Sequence, residues 1–209
     1  DDSPKRLLGS GEEAAYLAEY ICRLVEATCG HTLVLFTSYS LMGAVYNQVK
    51  DCLSFPLMEV WRNSQDIIHQ FKQASNAVLF AAGPCWEGVD FPGDMVSSLI
   101  ITRLPFPVPD PINEAEREQY PSLKDYIKSV VIPEMQIKLR QGFGRAVRTE
   151  TDACAVSILD CRAAPDQRYH QPVLETLPPV PITRKIEDVK RFIRAKKSPD
   201  YFLPKERAR

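Results

Sequence analysis

The chain has 209 residues, 44% of them hydrophobic and 25% charged, which is ordinary for one large globular domain with or without an appendage. Its 26 basic and 27 acidic residues give a net charge of −1, which excludes a polycation, so any nucleic-acid site must be a local patch. No apolar run approaches the roughly 18 residues of a membrane span, so we expect no membrane partner.

Five short apolar stretches predict strands that are buried on both faces: 32–36, 55–61, 77–82, 97–104 and 153–160. The segments between them predict helices: 12–29, Ser38 or Ser40 to about 53, 64–74, 113–129 and 133–148. Strands that alternate with helices indicate an α/β fold with a mostly parallel sheet. In such folds, loops at the carboxyl ends of the strands are the default positions for functional sites.

The two ends of the chain differ from its middle in composition. Residues 1–10 are polar, lack an initiator Met and resemble a linker, so we expect part of a longer protein. Residues 11–178 form the predicted domain. Residues 179–209 become proline-rich and then basic, with seven Lys or Arg against two acids between 182 and 198. This end predicts a peripheral basic helix followed by a loose tail.

The six cysteines form no C-x-x-C pair and have neither zinc nor iron–sulfur spacing. Their neighbours are mostly apolar. We therefore expect reduced, mostly buried thiols and a cytoplasmic location.

The predicted helix 133–148 contains two glycines, Gly142 and Gly144, each of which costs about 1 kcal/mol of helix stability relative to Ala. At about 100° per residue, Gln141, Arg145 and Arg148 share one narrow face. Two guanidiniums and a carboxamide on one face match phosphate oxygens, which predicts a phosphate sensor. On periodicity alone, a solvated helix face is the favoured interpretation.

The segment QGFGRAVR (141–148) resembles motif VI of superfamily 2 helicases, Q-x-x-G-R-x-x-R, most closely in the DinG/XPD-like family of DNA helicases. Three further segments resemble that family's sequence and occur in its order. LVLFTSYSLM (33–42) is similar to motif IV, WEGVDFPGD (86–94) to motif V, and RLPFPVPDP (103–111) to the proline-rich segment that follows the next strand.

The resemblance implies a three-layer RecA-like domain, the second motor domain of an ATP-dependent DNA helicase that translocates 5′ to 3′. ATP with Mg²⁺ would be shared with a first RecA-like domain of the same polypeptide, and single-stranded DNA would cross both domains. The Walker A loop, the DEAH box and the cysteines of an iron–sulfur cluster are not found in this sequence. We therefore expect no iron–sulfur cluster here, no ATP hydrolysis by this chain alone, and a chain that could be monomeric. Repair or recombination would be its setting.

The resemblance also assigns roles in the nucleotide site. Arg148 would act as the arginine finger, Arg145 would contact the phosphates, and Gln141 would place the attacking water or sense the γ-phosphate. Gly144, like Gly142, would let the nucleotide and the neighbouring domain approach. Glu87 and Asp90 of motif V would lie at the nucleotide, with Asp90 accepting from motif VI or the ribose. A magnesium or acid–base role for these two carboxylates is the less favoured interpretation.

On the nucleic-acid side, Thr37, Ser38 and Tyr39 would hold a DNA phosphate with hydroxyls and helix-terminal N–H groups. Gly88 would let the backbone approach DNA phosphates, and Trp86 would contact DNA. Two structural alternatives remain open: Ser38 as a simple helix cap and Trp86 as a core residue.

A second function uses the same features without catalysis. The basic carboxyl-terminal segment and the motif VI arginines could serve a binding module for nucleic acid or a protein partner. A Walker A loop upstream of Asp1 would distinguish the helicase from this module.

Overall fold

The computed structural model describes residues 9, 11–61, 65–86, 91, 93–108, 110–147 and 153–203, without the side chains of Pro84, Cys85 and Ile112. Five strands form one sheet in the order β2-β3-β1-β4-β5, and every neighbouring pair is parallel. Their bounds are Thr32–Phe36 (β1), Leu57–Val60 (β2), Val78–Ala82 (β3), Ser98–Ile101 (β4) and Ala155–Ile158 (β5). The five predicted strands and the parallel sheet are thus confirmed.

Helices connect these strands. Their bounds are Glu13–Thr28 (α1), Tyr39–Val49 (α2), Gln65–Gln73 (α3), Pro111–Arg117 (α4), Leu123–Tyr126 (α5), Ile132–Phe143 (α6), His170–Thr176 (α7) and Ile186–Lys196 (α8). A π-helical segment, Ile127–Val131, joins α5 to α6.

Two helix predictions were wrong in their bounds. The predicted helix 113–129 is divided between α4 and α5, because Pro121 cannot continue a helix and Ser122 starts a new one, with its Oγ accepting from Asp125 N at 3.2 Å. The predicted helix 133–148 ends at Phe143, and residues 144–146 form a turn.

The sheet separates two apolar layers because successive side chains of a strand point to opposite faces. In β1, Leu33 and Leu35 face a cluster that includes buried residues of α3, α6 and α7. Val34 and Phe36 face the other cluster, which is built with α1 and α2. All five β1 residues are buried, which explains their continuous apolar sequence. The result is the expected three-layer architecture.

The carboxyl-terminal segment packs on the domain. Helix α8 lies against α1, and its Ile193 is fully buried. Beyond α8, Tyr201 is buried and donates its hydroxyl to the Thr28 carbonyl at 2.8 Å. The predicted helix is therefore present, and one of its faces is part of the core.

The prediction that the cysteines are mostly buried was wrong. Cys161 is the one buried thiol among the five cysteines whose side chains are described, because Cys22, Cys29 and Cys154 are partly exposed and Cys52 is exposed. None of these five cysteines forms a disulfide within the described part of the chain.

Candidate functional site

Two of the predicted site segments, together with one residue outside them, lie at the carboxyl edge of the sheet. Residues 37–39 follow β1, the 3₁₀ turn Gly83–Trp86 follows β3, and Trp61 follows β2. Since β2, β3 and β1 are neighbours and parallel, their carboxyl ends lie side by side. This is the edge at which a parallel α/β sheet presents its loops to ligands.

Thr37, Ser38 and Tyr39 form the entry to α2. Ser38 is the helix cap, with its Oγ accepting from Leu41 N at 3.2 Å, so the structural alternative for this residue is met. Thr37 and Ser38 are exposed, and Tyr39 is half-buried. The hydroxyls of Thr37 and Ser38 and the amino end of α2 therefore share one open surface.

Trp86, predicted to contact DNA, lies in the core instead. Its exposed fraction is 6%, and its indole Nε1–H donates to the Phe36 carbonyl at 2.9 Å. An indole that is buried on its faces and already bonded at its one polar atom cannot stack on a base. The DNA contact assigned to the Trp86 side chain is therefore corrected to a packing role.

The Trp86 ring leaves no room for a side chain at position 142. A Cβ at this position would lie 2.9 Å from two ring carbons of Trp86 and 3.2 Å from Cδ1 of Leu35. Gly142 is buried in α6, where its backbone meets the indole directly. We expected a glycine here so that a nucleotide could come close. The structure gives a different reason, which is the close approach of motif VI to motif V within the domain.

Gly144 and Arg145 lie beyond the end of α6. Gly144 is exposed, with φ −62°, and a Cβ there would make ordinary 3.5 Å contacts with two carbonyl oxygens. Arg145 donates its Nε to the main-chain oxygen of Gln141 at 3.2 Å. Arg145 therefore lies in a turn and not in the helix, while its contact with Gln141 keeps these two predicted residues together.

Gln141 carries an acceptor without a partner. Its Oε1 is buried, and within the described part of the chain no hydrogen-bond donor reaches it. A buried acceptor without a hydrogen bond lowers the free energy of unfolding by about 1–3 kcal/mol. A conformation in which the Gln141 oxygen accepts a hydrogen bond would therefore be more favourable for this side chain. Gln141 and Arg145 both belong to the motif VI segment, which begins in the last turn of α6.

Four of the predicted site residues lie outside the described residues: Arg148, Glu87, Gly88 and Asp90. Among the residues described, no group of three or more His, Cys, Asp and Glu side chains is arranged to hold a metal ion. No helix in the described ranges is long and apolar enough to cross a membrane.

Two residues at this edge were missed by the sequence reasoning. Trp61 stacks on Tyr39, and its position directly after a predicted strand was the available signal. Asp160 follows β5, and its buried carboxylate accepts from Leu104 N at 2.8 Å and pairs with Arg162. Asp160 thereby joins the loops after β4 and β5.

Comparison with known proteins identifies the family. Residues 21–180 match the helicase C-terminal domain family. The chain is 35% identical over 184 residues to the ATP-dependent DNA helicase YoaA of Escherichia coli, a match that covers 86% of this chain and 29% of YoaA. It is 34% identical over 158 residues to the ATP-dependent DNA helicase DinG of Photobacterium profundum, covering 71% of this chain and 23% of DinG.

Another relative, from Bacillus subtilis, is named 3′-5′ exonuclease DinG and is 32% identical over 169 residues, covering 77% of this chain and 18% of that protein. The chain thus spans less than a third of the length of these relatives. Solved structures share the fold: an apo XPD structure has a TM-score of 0.62 at 23% identity, covering 76% of this chain and 33% of that one. An XPD helicase structure has a TM-score of 0.63 at 22% identity, covering 78% and 30%.

Proposed function

Since the chain belongs to the helicase C-terminal domain family, within the DinG/XPD-like group, we propose that it is the second motor domain of an ATP-dependent DNA helicase. In this role it contributes one wall of the ATP cleft and part of the track for single-stranded DNA. The first motor domain of the same polypeptide supplies the other wall.

The observation that carries this proposal is the position of Trp86, which connects three helicase motifs. Its ring contacts the backbone of Gly142 in motif VI, and its indole N–H bonds to Phe36 at the end of the motif IV strand. Trp86 itself begins motif V. A motor must transmit a change at its nucleotide site to its DNA site, and contiguous packed side chains are a physical route for such coupling. A simple binding module has no need of this connection.

On the nucleotide side, Arg145 and Arg148 carry the charge that suits phosphate oxygens, with Arg148 as the arginine finger. The amide oxygen of Gln141 accepts hydrogen bonds, so it suits the O–H of an attacking water. Because this oxygen is buried, the carboxamide must turn outward before it can receive one. This side of the cleft also includes Glu87, Asp90 and Gly144. The Mg²⁺ ion would be bound together with ATP, between this domain and the first motor domain.

On the DNA side, the exposed hydroxyls of Thr37 and Ser38 lie beside the amino end of α2, where backbone N–H groups favour an anion. They hold a DNA phosphate without reading its sequence, together with Tyr39 and the backbone at Gly88. Translocation runs from 5′ to 3′, in the cytoplasm and in DNA repair, and the chain by itself does not hydrolyse ATP.

The test is DNA-stimulated ATP hydrolysis by the full-length protein that contains this domain. We expect Arg148→Ala to reduce kcat about a hundredfold or more, because the charge that develops on the γ-phosphate loses its partner. Affinity for single-stranded DNA should stay the same. Arg140→Ala is the matched control, since Arg140 is an exposed arginine of α6 outside the motif VI segment.

Unchanged hydrolysis in Arg148→Ala would remove the finger assignment. Absence of hydrolysis in the wild-type protein, with DNA binding retained, would instead favour the non-catalytic binding module.

A further inference from the structure

Trp61 and Tyr39 form an aromatic pair at the carboxyl edge of the sheet. Trp61 directly follows β2, and Tyr39 lies three residues beyond the end of β1. Their ring centroids are 5.5 Å apart with an interplanar angle of 15°, an offset stack. Neither composition nor helicase motifs assign a role to Trp61.

One glycine makes room for this pair, and a second glycine lies beside it. A Cβ at Gly83 would lie 2.9 Å from the Tyr39 hydroxyl oxygen, and Gly83 has φ +60°, a conformation that disfavours other residues. Gly43 of α2 lies beside the Trp61 ring, where an added Cβ would make only an ordinary 3.8 Å contact with Cη2. The ring of Trp61 is therefore held by its neighbours on one side.

Trp61 nevertheless remains 44% exposed. The exposed part of this indole is available for a further aromatic contact. Thr37 and Ser38, which directly precede Tyr39 in the chain, are both exposed hydroxyl residues. The open surface is thus one stacked ring pair beside hydroxyls.

We propose that the Trp61–Tyr39 pair is a stacking platform for one base of the single-stranded nucleic acid, with the phosphate of that nucleotide at Thr37 and Ser38. This inference rests on the proposed function, and it adds a residue to the DNA track that the helicase motifs do not include. A flat aromatic surface beside phosphate-binding groups is the arrangement by which proteins bind single strands without sequence preference.

A base fits this surface better than a protein partner does. A stable protein interface buries about 800 Å² on each partner, with several apolar anchors around its centre. Here one aromatic pair is bordered by exposed hydroxyls and by the amino end of α2, which suits an aromatic ring joined to an anion.

The experiment compares two oligonucleotides on the full-length protein: dT20, and a strand of the same length with abasic sites in place of the bases. We expect Trp61→Ala to weaken dT20 binding about 5- to 100-fold, which corresponds to the loss of one base–aromatic stack. Binding of the abasic strand should not change, since it keeps the phosphates. Trp61→Phe, which retains a ring over Tyr39, should keep most of the dT20 affinity.

Phe192→Ala is the matched control, because Phe192 is another exposed aromatic residue, at 37%, on α8, which contacts β5 at the opposite edge of the sheet. Two outcomes for Trp61→Ala would overturn the platform: unchanged affinity for dT20, or equal losses of affinity for dT20 and for the abasic strand. A fall in DNA-independent ATP hydrolysis with unchanged dT20 affinity would also overturn it, because that result would place Trp61 at the other motor domain. In these cases the proposed function stands if wild-type protein binds dT20. Failure of wild type to bind dT20 overturns the platform together with the DNA track.

Discussion

Gly142 and Gly144 stand two residues apart in motif VI and have different physical reasons to be glycine. Gly142 is buried under the indole of Trp86, so its missing Cβ is what allows α6 to approach the loop after β3. Gly144 is exposed and follows the last helical residue, with room for a side chain. The described residues thus give no packing reason for a glycine at position 144, and its place at the nucleotide cleft stays a prediction.

This difference gives a matched pair of substitutions. We expect Gly142→Ala to lower the free energy of unfolding by about 1–3 kcal/mol, because the added methyl must displace Trp86 or Leu35. Gly144→Ala should leave it unchanged or raise it by about 0.4–1 kcal/mol, since its φ of −62° suits alanine. Urea unfolding followed by circular dichroism measures both. Equal effects of the two substitutions would contradict the packing assigned to Gly142.

At the scale of elements, a partly buried cluster holds the segment after α8 against the amino edge of the sheet. The His31 ring stacks on Tyr201, with centroids 4.1 Å apart. Its Nδ1 and Nε2 lie 3.0 and 3.3 Å from the carbonyl oxygens of Asp94 and Tyr201. Lys197 pairs with Asp94 at 2.6 Å, and its side chain is only 4% exposed. Burial lowers the pKa of His31 in this cluster.

The lowered pKa of His31 predicts a pH dependence of stability. Since the unfolded chain keeps the ordinary histidine pKa of about 6.5, it binds a proton more readily than the folded chain does. The free energy of unfolding should therefore fall as the pH drops below about 6.5. Urea unfolding at pH 7.5 and 5.5 measures the difference, which should shrink in His31→Gln.

Tyr201→Phe is the control for that prediction, because it keeps the ring that stacks on His31 and removes only the hydroxyl bonded to Thr28. It should lower the free energy of unfolding by about 1 kcal/mol at both pH values. An unaltered pH difference in His31→Gln would show that other groups cause it.

At the scale of the whole molecule, we propose that the chain contributes one side of a nucleotide site whose other side belongs to another domain. Motif VI, which supplies Gln141 and Arg145, begins at the end of α6, and its carboxamide oxygen finds no partner in the described part of the chain. The chain also spans only 29% of the length of YoaA. Both observations fit a domain whose nucleotide site is completed by another domain.

We therefore expect the isolated chain to fold and yet release no phosphate from ATP, with or without single-stranded DNA. Circular dichroism would establish the fold, and a phosphate-release assay would measure hydrolysis against the full-length protein as a positive control. Turnover by the isolated chain at a rate close to that of the full-length protein would contradict the proposed division of the site.

The sequence by itself determined the sheet, most of the helices and the order of the helicase motifs. The apolar runs of β1 and β3 predicted strands buried on both faces, as the structure has them, and the hydroxyl residues after β1 offered Ser38 or Ser40 as the helix cap, of which Ser38 is the one. Local signals of this kind survive in any tertiary context. They also placed the loops of β1 and β3 at the carboxyl edge, because parallel strands share one direction.

Only the tertiary structure decided what Gly142, Trp86 and Trp61 do. A glycine in a helix has the same local cost whether a nucleotide or an indole lies against it, and only the packing of α6 on the loop after β3 identified the indole. The two tryptophans each follow a strand closely, yet one is 6% and the other 44% exposed. That contrast depends on which elements cover each ring, so it arises from contacts between residues distant in the chain and has no signature in the local sequence.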